Sequence, residues 1–69
     1  MSARWQVRLV PDEDGVILVR CTPPVGTPHY GVILRSGEVA YNRPLEVPRR
    51  VRRRAQEIAR LVDPRESTD

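Results

Sequence analysis

Arg49, Arg50, Arg52, Arg53 and Arg54 crowd five guanidinium groups into six residues, and Arg60 follows a little further on. A guanidinium is planar, always charged and forked, so it meets a phosphate or a carboxylate with two parallel hydrogen bonds. A run of them is suited to holding a polyanion. The run also falls where a helix is expected to begin, and a helix N-terminus carries roughly +0.5 of an elementary charge, which disfavours cations there. An anion received at that end would relieve that cost.

The other side chains with chemical potential are few. Cys21 is the single cysteine and His29 the single histidine. A Cys–His pair can act as nucleophile and base, but the bland reading is a small buried thiol and a loop imidazole. Two ligands fall short of the four that a structural zinc site needs. Asp12-Glu13-Asp14 lacks the spacing of a calcium loop and fits a turn. No catalytic residue, metal or cofactor is therefore expected, and the chain reads as a non-enzyme.

These residues need a scaffold, and 69 residues allow one domain. A chain this short buries only about 60% of its unfolded surface, and a lone cysteine offers no internal disulfide. Residues 4–10 alternate, with Trp5, Val7 and Leu9 on one face and Arg4, Gln6 and Arg8 on the other. Pro11 to Gly15 supplies turn chemistry, and 16–22 returns as a β-branched strand. The prolines of 22–28 exclude a central strand. Residues 29–35 and 38–42 form a second hairpin around a two-residue Ser36-Gly37 turn. Tyr30 and Tyr41 are read as core residues. Val47 before Pro48 is pushed away from helical backbone, which favours Pro48 as first helical residue. Val47, Val51, Ala55, Ile58 and Val62 then recur as an apolar stripe.

With Val51 at 0°, Arg49, Arg53 and Arg60 fall near about 180°, and Arg50 and Arg52 flank at about ±100°. The expected nucleic-acid-binding set is thus Arg49, Arg50, Arg52, Arg53 and Arg60. Residues 44–62 carry six arginines against Glu46 and Glu57, while 63–69 are net acidic. Glu46 could pair with Arg50, and Glu57 with Arg53, but two acids cannot neutralise six arginines. All twelve basic residues are arginine, as a GC-rich bacterial or phage genome would encode.

Two segments resemble known families. Arg4-Trp5-Gln6-Val7-Arg8-Leu9-Val10-Pro11-Asp12-Glu13-Asp14-Gly15 resembles the first hairpin of HicB-like antitoxins, and that likeness implies a protein that neutralises a partner. It stops at residue 15, where the family's proline-glycine-cysteine segment and early helix give way to a second hairpin. His29-Tyr30-Gly31-Val32-Ile33-Leu34 resembles the strand carrying the catalytic histidine in permuted papain-like hydrolases of the NlpC type. Those domains are longer and place their cysteine differently.

The expected architecture is α+β: two β-hairpins, in a sheet or a partly open barrel, followed by one C-terminal amphipathic helix. Residues 1–62 form this single domain, and 63–69 a flexible acidic tail. The expected function is that of a small regulatory or accessory protein holding nucleic-acid backbone, DNA or RNA, on the arginine face. The alternative is a protein-interaction module, such as a phage or bacterial inhibitor, an antitoxin-like chain or an assembly subunit, whose arginines meet an acidic surface. Apolar groups on both faces of the strands favour a homodimer. With no apolar leader segment and no long apolar run, the expected location is cytoplasmic.

Overall fold

The computed structural model describes residues 4–62; the expected acidic tail lies outside the described residues. Four antiparallel strands, β1 (Gln6–Pro11), β2 (Ile17–Thr22), β3 (His29–Ile33) and β4 (Val39–Tyr41), are joined in the order β1-β2-β3-β4. One helix, α1 (Arg49–Ala59), follows a single 3-10 turn at Pro44–Glu46 that the sequence pattern did not announce. The α+β expectation holds. β1 and β4 remain separate edges, so the four strands form one open sheet.

Both hairpins close by the same device. The Asp12 N–H donates to the Val16 carbonyl (2.8 Å), and the Gly15 N–H donates back to the Asp12 carbonyl (3.1 Å). Leu34, Glu38 and Gly37 repeat this pattern, with both distances 2.8 Å. Each loop is a turn followed by a glycine at positive φ, +83° at Gly15 and +94° at Gly37, the usual three-residue hairpin connection. The second turn therefore spans Arg35-Ser36-Gly37, one residue more than expected. The Asp12 carboxylate stiffens the first loop by accepting from the Asp14 and Val16 N–H groups.

The strand register sorts side chains onto two faces. Val7 lies opposite Cys21, Leu9 opposite Val19, Gly31 between Val19 and Tyr41, and Ile33 opposite Val39. These residues face α1. A side chain at Gly31 would collide with Val39 and Tyr41, so glycine is what allows the Tyr41 ring to lie over β3. Arg8, Val10, Leu18, Arg20, Tyr30, Val32 and Ala40 share the other face, and no described element covers it. Tyr30, expected in the core, is 48% exposed there.

Helix α1 packs on β1, β2 and β4. Val47 is buried and fixes the entry; Pro48 is the N-cap rather than the first helical residue. The helix stops at Ala59, and tighter bonds from the Leu61 N–H to Ile58 and from the Val62 N–H to Ala59 carry the chain on. The buried stripe is Val51, Ala55 and Ala59, not Val51, Ala55, Ile58 and Val62; Ile58 and Val62 are half-buried. Among the described residues no fully buried side chain is larger than valine. A helix lying close on a sheet needs small residues at the contact line, and alanine meets that need where isoleucine does not.

Candidate anion-binding surface

The shift of the buried stripe from Ile58 to Ala59 turns the helix about its axis, and the arginines turn with it. Arg49, Arg50, Arg53, Arg54 and Arg60 are exposed. Arg52, expected as an outward flanker, is half-buried. Its Nε is enclosed without a hydrogen-bond partner, and so is the hydroxyl of Tyr41. Arg54, outside the expected set, takes the outward place that Arg52 gives up.

None of these helix arginines is neutralised within the described residues. The single ion pair there joins Arg43 to Glu46 at 3.4 Å. Neither of the two helix pairs anticipated from spacing forms: Glu46 turns to Arg43 instead of Arg50, and Glu57 makes no ion pair with Arg53. The start of α1 has no acidic residue in its first turn and no side-chain cap, because Pro48 at the N-cap has no side-chain oxygen to offer. Positive charge thus accumulates at the positive end of the helix without an ion-pair partner among the described residues.

Two shallow clefts open along this surface. One, of about 470 Å³, is lined by Pro48, Arg49, Arg50 and Arg53. The other, of about 360 Å³, lies between the start of β1 and the helix and is lined by Arg4, Trp5, Val7, Arg50, Val51 and Arg54. Arg50 belongs to both. Arg4 and Arg54, absent from the expected set, join it here. The i,i+4 spacing of Arg50 and Arg54 places both on one side of the helix, but only the docking angle brings Arg4 and Trp5 to that side.

The far half of α1 is built differently. Gln56 lies between the helix and the β3–β4 hairpin. Its side-chain oxygen accepts from the Val39 N–H (3.1 Å), and its amide donates to the Gly37 carbonyl. Arg60 borders a further cleft with Ser36, Glu38 and Gln56, apart from the arginines of the first turns.

Cys21 and His29 are cross-strand neighbours, yet the pair is not arranged for nucleophilic chemistry. Cys21 is 0% exposed. Burial pushes its thiol pKa up, and the neighbouring Tyr41 hydroxyl only partly opposes this. A nucleophilic cysteine needs the opposite, a stabilised thiolate within reach of substrate. His29 stacks on Trp5, with ring centroids 5.8 Å apart and planes 30° from parallel. The Tyr41 hydroxyl is also driven up, by burial first and by Cys21 second, with Arg52 opposing. Among the described residues no three His, Cys, Asp or Glu side chains converge as a metal site, and no helix is long and apolar enough to cross a membrane. No family model, curated protein or solved structure matches this chain, so neither of the local resemblances is extended by a wider likeness.

Proposed function

We propose that this chain is a small non-enzymatic regulatory or accessory protein that holds nucleic-acid backbone on α1, through Arg49, Arg50, Arg53, Arg54 and Arg60. The observation that carries this reading is charge without a partner among the described residues: four exposed arginines on one short helix and a fifth, Arg60, just past its end, with the one described ion pair lying elsewhere. Such a surface neutralises phosphates and displaces their counterions, so its affinity must fall steeply with salt. Contacts of this kind fix position and register and carry no base sequence by themselves. Arg52 leaves the set because it is half-buried, with its Nε enclosed.

Fluorescence anisotropy with labelled DNA and RNA across a salt series tests the reading. Replacing Arg49, Arg53 and Arg60 together by Gln should weaken binding similarly for unrelated sequences. It should also make the salt slope shallower by up to about three units, one for each phosphate that is no longer neutralised. Absence of any affinity near 100 mM salt, where charges are screened beyond about 10 Å, defeats it.

One observation favours a second reading, a protein-interaction module. Val10, Leu18, Val32 and Ala40 lie in register across the uncovered face of the sheet, and Val32 is 50% exposed. An apolar row of this kind suits a protein contact, including a second copy of the chain. Sedimentation measured with Leu18→Lys against the unaltered chain tests it: a mass above the monomer that the substitution abolishes supports the contact, and a monomer throughout removes the second-copy form.

A further inference from the structure

We propose that the cleft between the start of β1 and the first turns of α1 is a single-nucleotide site, in which Trp5 receives one unstacked base while Arg4, Arg50 and Arg54 hold the adjoining phosphates. The ligand class that follows is single-stranded nucleic acid. The inference rests on the reading of α1 as a phosphate-binding surface and adds what that surface prefers.

The cleft combines two chemistries. Arg4, Arg50 and Arg54 bring three guanidinium groups, and Trp5, Val7 and Val51 bring an aromatic and aliphatic lining. No carboxylate lines it, and none of its arginines is in an ion pair among the described residues. Its volume of about 360 Å³ lies at the lower end of ligand pockets, enough for one base and too little for a duplex. Trp5 is held in place by its stack on His29, so little side-chain freedom remains to be lost when a base arrives. A positively charged groove beside an aromatic ring is the arrangement by which single strands are held.

The neighbouring cleft decides for a strand over a small anion. Because Arg50 lines both clefts, the surface continues from Trp5 across Arg50 to Arg49 and Arg53. A ligand with phosphates at regular intervals can occupy both at once, whereas an isolated phosphate uses one. An acidic peptide could use the charge but gains less from the ring.

Trp5 is the only tryptophan, so its emission reports this cleft alone. The full chain is titrated at low salt with an oligothymidylate of about twelve nucleotides, with the same strand in duplex form, with inorganic polyphosphate and with polyglutamate. Anisotropy on labelled nucleic acids is followed in parallel. Saturable change in Trp5 emission with the single strand, tracking the anisotropy midpoint and absent for duplex and polyphosphate, is the expected result. Trp5→Leu should cost about five- to a hundredfold in single-strand affinity, as removal of one base–aromatic stack does, and leave duplex affinity unchanged. Should that variant fold poorly, Arg4→Gln with Arg54→Gln, at exposed positions, should lower the ratio of single-strand to duplex affinity. Single-strand binding with silent Trp5 emission and an unchanged ratio overturns the nucleotide site while leaving α1 as a phosphate surface. No binding of any nucleic acid overturns both. A Trp5 response to polyglutamate alone gives the cleft to an acidic protein and overturns the proposal.

Discussion

The two halves of α1 serve different ends, although one helix of eleven residues contains both. The C-terminal half is fastened: Gln56 bonds to the β3–β4 hairpin at two points, and Ala59 is buried against the sheet. The N-terminal half docks through Val51, tucks Arg52 partly inward and projects its other arginines into solvent, at the helix end where cations are least welcome and with no capping side chain. Both halves are held to the sheet, but only the first also concentrates charge. A fold this small can concentrate charge at one place only because another place holds the helix down.

The division is open to direct attack, and the core line of the helix should yield most. Val51→Asp buries a carboxylate with no partner and should cost several kcal/mol, enough to unfold a domain of this size. An unchanged Tm by circular dichroism would show that α1 is not docked. Cutting the fastening should cost less. Gln56→Ala orphans the Val39 N–H and the Gly37 carbonyl, for about 1–3 kcal/mol, while Gln56→Glu keeps an acceptor for Val39 and loses the donor to Gly37. An intermediate Tm for the Glu variant would show that both bonds count.

Alkaline pH probes the interior beneath the helix. Cys21 and Tyr41 both have folded pKa values raised by burial, above their ordinary values of 9.0 and 10.0. A raised acid favours the neutral form, so the stability it contributes is complete below the unfolded pKa and is lost as pH rises through the folded one. The Tm should therefore hold steady through neutrality and decline above about pH 9. Tyr41→Phe removes one of the two shifted groups and should soften that decline. An identical decline in the variant would place the alkaline sensitivity elsewhere. The smallest effect belongs to the charged half. Arg49→Gln and Arg53→Gln together should leave the free protein's Tm unchanged or slightly higher at low salt, because helix propensity is nearly conserved and dipole repulsion at the first turns is relieved. A clear fall in Tm would mean the arginines stabilise the fold.

Much of this architecture is written in local pattern. Alternation at Trp5, Val7 and Leu9 marks the inner face of β1, the Gly15 and Gly37 loops mark the hairpins, and Val47-Pro48 marks the helix entry within one residue. What local pattern does not contain is the distance between helix and sheet. Helical periodicity alone favours Ile58 as the inward residue because isoleucine is large and apolar, but close approach selects Ala55 and Ala59. That one displacement draws Arg52 inward, releases Arg54 and brings Arg4 and Trp5 to the charged side. The candidate site was therefore legible as a set of arginines and illegible as a cleft, since the cleft exists only after two distant segments meet at a particular angle.

The Gln56 bonds also bear on how copies of this sheet could join. A sheet with two free edges can add strands head to tail without limit, β1 of one copy on β4 of the next, which is the route to fibres. Here β4 is only three residues long and gives its Val39 N–H to Gln56, while β1 is six residues long and ends in Pro11. The poorer edge is thus occupied from within. Backbone pairing between copies is left mainly to β1 against β1, a two-fold contact that uses the same edge on both partners and stops at two.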